Sequence, residues 1–283
     1  MYNLDLSLFP KSIVYPTVLA DSERFLIKIA ETDEELKATL KLRYEVFNVE
    51  QGHGLDQCAS YGLDFDEYDK YCLQLVVLDK QEKAPVGTYR LHLGSIALEG
   101  KGFYSSTEYE IKGLEKIASI SMELGRSCVR TSFRTGAAVA LLWGGIGELM
   151  MRAKLRYLFG CVSMEAYNAA ATWAIYEHFK KDNLTTDLIK GTPLKGFELD
   201  KSTPDEIKIY SDNIRNTMKD FVPPLLKGYL RLGTKICGEP LFDPVFKTVD
   251  FLILLDTFSM PERYARHFNY KPAQSQAAPI QCT

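Results

Sequence analysis

The chain has 283 residues, 46% of them hydrophobic and 25% charged, and carries a formal net charge of −3. That suits one large globular domain, or a domain with an elaborated half, and excludes the global positive field that gathers nucleic-acid phosphates. Six cysteines (Cys58, Cys72, Cys128, Cys161, Cys237 and Cys282) lack CxxC pairing or metal-ligand spacing, as reduced cytoplasmic thiols do, and no apolar run is long or clean enough to span a bilayer.

Residues 1–22, with Pro10 and Pro16, read as an irregular arm without the apolar stretch of a signal sequence. Phe25 to Ala30 alternates like a short strand. Thr32 or Asp33 then caps a helix expected to reach about Glu50, with Leu36, Leu40, Tyr44 and Phe47 on one face. An acidic loop closes at 63–71, and strands are predicted over 72–79, 85–93 and 119–129. A long helical pattern covers 136–153, an apolar strand 156–164, and a further helix Ala169 to Lys180. Residues 184–212 carry short strand-like pieces and a turn at Ser202–Pro204.

Pro223 and Pro224 open an apolar helix, and residues 249–256 read as a fully buried strand. The Pro/Gln/Ala-rich stretch 271–283 reads as a disordered tail. Strands dominate early and then alternate with helices. The expected fold is α/β (α+β), a central mixed β-sheet flanked by helices, in one domain over 23–270 whose C-terminal helix/strand extension starts at 213.

Charged residues inside apolar segments mark where chemistry can sit. Arg43 lies on the first long helix, near Phe47 and Glu50. Asp64, Asp66, Glu67 and Asp69 crowd the acidic loop, Arg90 interrupts a strand, and Glu123 and Arg126 share the strand SMELGRSCV. Alternation puts Glu123 and Gly125 on one face and Leu124 and Arg126 on the other, unless the glycine marks a bulge. A structural Arg–Glu pair explains the last two as well as a site does, and Arg43 could simply pin the loop. Arg126, Arg130 and Arg134 lead through Gly136 into a helix N-terminus, an arrangement that can take an anion. His53, His92, His178 and His267 lack metal spacing, and no metal site is expected. No nucleophile elbow, P-loop or dinucleotide fingerprint is present. Cys128 and Cys161 read as inert strand thiols, Trp143 and Trp173 as core.

The words LRYEVFNVEQG (42–52), LDFDEYDKYCLQLVV (63–77), VGTYRL (86–91), GFYSSTEYEI (102–111), ELGRSCV (123–129), ALLWGGI (140–146) and LFGCVSM (158–164) resemble the ornithine-lipid type of N-acyltransferase in the GNAT superfamily, a group often labelled hemolysin-like. The text at 223–257 is similar to the same group, so the likeness covers about 25–268. A more distant resemblance, to acyl-homoserine-lactone synthases, falls on Arg43, Phe47, Asp66, Asp69, Arg90, Glu123 and Arg126. Their usual tryptophan has no counterpart, which argues against lactone formation. Gln74 stands where the ornithine-lipid group often has a histidine.

The resemblance implies transfer of a (3-hydroxy)fatty acyl group from acyl-carrier-protein thioester to the α-amine of an amino acid, ornithine before glycine or another. Glu123 would be the base and Asp66 the second choice, with Arg126 beside them. Arg43, Phe47, Asp64, Asp69 and Arg90 would organise the loop or anchor the acceptor. The thioester carbonyl and pantetheine would lie along Cys128 and Val129, and the phosphate on Arg134, Gly136, Ala137 and Ala138. The donor is the 4′-phosphopantetheine arm of acyl-carrier protein, or a coenzyme A thioester, and no cofactor stays bound. Peripheral contact with the inner membrane from the cytoplasm and a downstream O-acyltransferase would complete the setting. A catalytically silent binding module is the rival from another class.

Overall fold

The computed structural model describes residues 17–134, 136–165 and 168–267. The first half contains β1 (Val18–Asp21), β2 (Phe25–Ile29), α1 (Asp33–Tyr44), β3 (Leu73–Asp79), β4 (Ala84–Leu93), α2 (Gly94–Glu99), β5 (Tyr109–Lys112) and β6 (Ser121–Val129). Then come α3 (Ala137–Ala153), β7 (Tyr157–Met164), α4 (Ala169–Lys181), β8 (Lys190–Pro193), α5 (Pro204–Ser211), α6 (Ile214–Phe221) and α7 (Pro224–Arg231). The chain closes with β9 (Lys235–Ile236), β10 (Leu241–Asp243), β11 (Thr248–Asp256) and α8 (Glu262–His267).

One nine-stranded sheet runs β1-β2-β3-β4-β6-β7-β11-β10, with β9 also on β11, while β5 and β8 form a separate pair. Every named pair is antiparallel except β6–β7, which makes the sheet mixed as expected. Val18–Asp21, assigned to an irregular arm from sequence, is an edge strand whose Leu19 is buried in the main core. The rest of that arm and the tail from 268 onward lie outside the described residues.

The two faces of the sheet are covered by different helices. Gly145 of α3 sits so close to Ile27 and Leu75 that an added Cβ would stand 2.7 and 3.1 Å from them. Gln74, one residue before Leu75 and therefore on the opposite face, meets Arg43 of α1. Among the described residues, no helix is long and apolar enough to cross a membrane.

α1 starts where the sequence predicts. Thr32 accepts from the Glu35 backbone and Glu35 reaches back, a capping box with acids filling the first turn. It reaches Glu50 as predicted, but its α-helical part stops at Tyr44. The ladder widens at Glu45–Glu50 into a π-helical turn, with Gln51 N donating to Val46 O. The buried face therefore runs through Leu40, Arg43 and Val46, and the π turn re-aims Phe47.

Candidate active site

β6 and β7 pair only at Ser121↔Tyr157, Met122↔Leu158 and Glu123↔Phe159, and then separate. Gly160 permits the departure: a Cβ there would stand 2.3 Å from Leu124 O. Between the splayed strands lies a cavity of about 390 Å³, lined by Leu124–Ser127 on one side and Gly160–Ser163 on the other. Its apolar lining comes from Trp143, Leu158, Leu225, Tyr229, Ile253 and Leu255. Trp143, read as core from sequence, is both buried and a wall of the cavity.

The strand carrying Glu123 and Arg126 is bulged. β4 and β6 pair Arg90↔Gly125 and then Thr88↔Cys128, so Arg126 and Ser127 together oppose Tyr89. Arg126 takes the strain, with φ +48°. The bulge turns its guanidinium onto the Phe47 ring, 4.2 Å from the centroid, and into a two-point pair with Asp64 whose Nε arm is 3.1 Å.

The sequence-predicted acidic and basic residues form one buried network. Arg43, fully buried, donates to Asp64 (2.8 Å), to both oxygens of Asp69 (2.6 and 3.1 Å) and to Gln74 (3.3 Å). Arg90 donates to Asp66 at 2.6 Å, and a Cβ on Gly125 would stand 3.8 and 3.9 Å from its Nε and Nη2. Burial pushes Asp69 up, but Arg43 and Arg90 outweigh it and hold the carboxyl well below the usual range. Asp66 also caps the turn Glu67–Lys70, so the loop is tied at both ends.

This network separates the predicted residues into two groups. Phe47, Asp66, Arg90, Glu123 and Arg126 line the cavity; Arg43, Asp64 and Asp69 do not, and hold the loop behind it. Gln74 also stands away from the cavity and donates to Asp69 at 2.8 Å. A histidine's absence at that position therefore removes nothing from the cavity wall.

Glu123 is the best-held carboxylate of the cavity. It accepts from Tyr104 N (2.8 Å), Ser105 N (2.7 Å) and Ser105 Oγ (2.6 Å). Burial pushes it up, but His92 and these donors prevail and keep it below its ordinary value. His92, assessed in the sequence only for metal spacing, is buried opposite Glu123 in register, with Nδ1 3.8 Å from Oε2 and no hydrogen bond to either ring nitrogen. Its position two residues after Arg90 on a strand was the available signal.

The predicted donor residues continue beyond the lined stretch of β6. Cys128 packs on Leu42 and Val46, and Val129 enters the main core. Gly136 caps α3 with φ +89° and no side-chain hydrogen bond, so the amides of Ala137 and Ala138 begin the helix without an intrahelical acceptor. Arg134 donates to Val129 O (2.9 Å) and to Glu50 (2.9 Å), which fixes it beside that terminus. A third cluster, Glu108, Cys161 and Asp250, places one potential ligand atom of each within 4.8 Å of the others.

Residues 42–144 match the acetyltransferase (GNAT) domain model. The chain is 32% identical over 254 residues to the L-ornithine Nα-acyltransferase of Agrobacterium fabrum, covering 85% of this chain and 84% of that one. It is 31% identical to the enzyme of the same name from Brucella abortus, over 86% of this chain and 88% of that protein. FeeM, a solved N-acyl amino acid synthase from uncultured soil microbes, aligns over 84% of this chain and 94% of its own with 10% identity and a TM-score of 0.45, too distant to assign chemistry.

Proposed function

The chain belongs to the L-ornithine Nα-acyltransferase family, and from that premise we propose that it moves a fatty acyl group from a phosphopantetheine thioester onto the α-amine of ornithine. The observation that carries this reading is the cavity between β6 and β7. It joins a buried carboxylate, Glu123, to an apolar wall against which an acyl chain can lie.

The acyl chain lies against Trp143, Leu158, Tyr229 and Ile253, where burying each methylene contributes about 0.8 kcal/mol. The thioester carbonyl then sits where β6 has lost its β7 partner, within reach of peptide N–H groups that can hold an oxyanion. The pantetheine phosphate rests on the open N-terminus of α3, at Gly136, Ala137 and Ala138, with Arg134 at its side. Whether the arm belongs to acyl-carrier protein or coenzyme A does not alter this geometry. Of the basic residues a carrier protein would meet (Arg130, Arg134, Arg152, Lys154 and Arg156, with Lys227, Arg231 and Lys235 as a second group), Arg130, Arg134, Arg152 and Arg156 are paired with Glu82, Glu50, Glu148 and Asp256.

Ornithine enters from the loop side. Arg90, which turns Nε and Nη2 toward Gly125, and Arg126 are placed to take its α-carboxylate. An α-amine titrates near about 8, so a usable fraction is neutral at pH 7. It attacks the thioester carbonyl, the C–N bond forms, the C–S bond breaks, and the thiol leaves with a proton. Nitrogen becomes far more acidic once it has added, so a carboxylate held as low as Glu123 suffices to remove its proton. In this reading Glu123, which lines the cavity beside the splayed strands, is the base, and Asp66, tied to Arg90 and the loop cap, is the second choice.

The experiment is mass spectrometry of lipids from cells expressing the chain, with Glu123→Gln beside it. N-acyl ornithine, a lyso-lipid ready for a separate O-acyltransferase, is expected from the wild type. The variant should lose about 10²- to 10⁴-fold in rate. Amides of other amino acids without N-acyl ornithine would overturn the acceptor. An undiminished Glu123→Gln would overturn the base.

A further inference from the structure

The cavity has a second acidic corner that acyl transfer does not use. Glu108, just before β5, is 3% exposed, yet its Oε2 has no hydrogen-bond partner and the residue lines the cavity. Asp250 on β11 and Asp243 on β10 line the same corner and are themselves buried. Among the described residues, no lysine or arginine pairs with any of the three. Burial, reinforced by Asp250 and Asp243, pushes Glu108 up to about 8, and burial pushes Asp250 up to about 6. Such a corner is short of one positive charge.

It is also connected to the reacting end. Glu123 Oε1 accepts from Ser105 Oγ at 2.6 Å, Ser105 Oγ lies 3.6 Å from Cys161 Sγ, and Cys161 stands within the Glu108–Asp250 group. One cavity therefore presents two acidic sites with only a hydroxyl and a thiol between them. The fitting occupant carries two nitrogens on one short chain.

We propose that Glu108 and Asp250 form the subsite for the side-chain ammonium of a diamino-acid acceptor, with Glu123 serving the amine that is acylated. The proposal rests on the amino-acid N-acylation reading and adds to it the residues that select a basic side chain. A metal ion fits the corner less well. Both Asp250 oxygens already accept from Thr248 (2.8 Å) and Ser163 (3.1 Å), and burial holds Cys161 as a thiol. One unpartnered carboxylate oxygen is too few anionic ligands for a divalent ion. An ammonium needs only lone pairs, which Glu108 and Asp250 both retain.

The test compares ornithine with norvaline, its analogue without the side-chain amine, on wild type, Glu108→Gln and Asp250→Asn, with chelator present. The wild type should favour ornithine by about a hundredfold or more in kcat/KM, because a site built for a polar group rejects the analogue lacking it. Each variant should lower kcat/KM for ornithine about a hundredfold, mainly through KM, and for norvaline less than tenfold. Ornithine alone should raise the melting temperature of wild type but not of the variants, a readout independent of turnover. Variants that keep the wild-type preference would overturn the subsite, as would a preference abolished by chelator and restored by zinc or magnesium. Acylation of ornithine with no preference over norvaline would overturn the subsite and leave the acylation reading standing. Failure to acylate either would remove both.

Discussion

Arg43 and Glu108 occupy opposite ends of the same electrostatic problem. Arg43 is a buried cation saturated by carboxylates, and its loss leaves Asp64 and Asp69 buried with fewer partners. Arg43→Met should therefore cost about 3–5 kcal/mol in urea unfolding, well beyond a surface substitution. Glu108 is a buried acid with no cation, and its substitution should act in reverse. Its folded value is raised to about 8 against about 4.3 unfolded, so both states hold the proton below about pH 4 and only the folded state holds it up to about pH 8. Stability contributed by that proton is lost progressively across this window. Glu108→Gln removes the slope and should melt higher than wild type at pH 8, with the gap closing toward pH 4. Equal melting at both values would show that the corner is not charge-starved. Arg43 was legible in the sequence because a charge on an apolar helix face is rare. Glu108 and Asp250 receive no role there, because Glu108 stands only within the resembling word GFYSSTEYEI (102–111), Asp250 in a strand read as fully buried, and the two acids stand 142 positions apart.

At the scale of elements, β6 is where sequence reasoning came closest and stopped. Gly125 flanked by Glu123 and Arg126 signals a bulge, but alternation without one is equally consistent with the text. The strand takes the bulge because Arg126 gains the Phe47 face and Asp64, partners supplied by the π turn and the acidic loop. Neither is local, so propensity could not choose. The change from α to π geometry at Glu45 has the same character, since the π turn repeats the helical composition around it. Gly160 is the counterpart on β7: the close approach of Leu124 O is set by strands separated in sequence by a whole helix. Gly160→Val needs backbone movement where the cleft opens and should cost about 1–3 kcal/mol. It should also raise KM for the acyl thioester more than for ornithine. A stable variant with unchanged donor KM would mean that the splay is not the donor's seat.

The acyl wall exists only at the scale of the whole molecule. Trp143 comes from α3, Leu158 from β7, Tyr229 from α7, and Ile253 and Leu255 from β11. From sequence Trp143 reads as core, Leu158, Ile253 and Leu255 lie on apolar strands and Tyr229 on an apolar helix, and all five are buried. Nothing in their periodicity says that a core face will be left open on one side, because that depends on β11 joining β7 and α7 closing over both. Tyr89 and Tyr229 hydrogen-bond hydroxyl to hydroxyl between β4 and α7, which ties that helix to the sheet at the cavity. Beyond Trp143, a second small void is bounded by Trp143, Ile146, Met150, Leu158 and Met260. Trp143 and Leu158 line both this void and the acyl cavity. Trp143→Leu should join the two, at a cost in stability below the about 3–5 kcal/mol of complete truncation because a branched side chain still fills part of the site. Offered a mixture of acyl thioesters, the variant should shift its amide products toward longer chains while ornithine KM stays near wild type. An unshifted product distribution from a folded variant would place the end of the acyl chain elsewhere in the cavity.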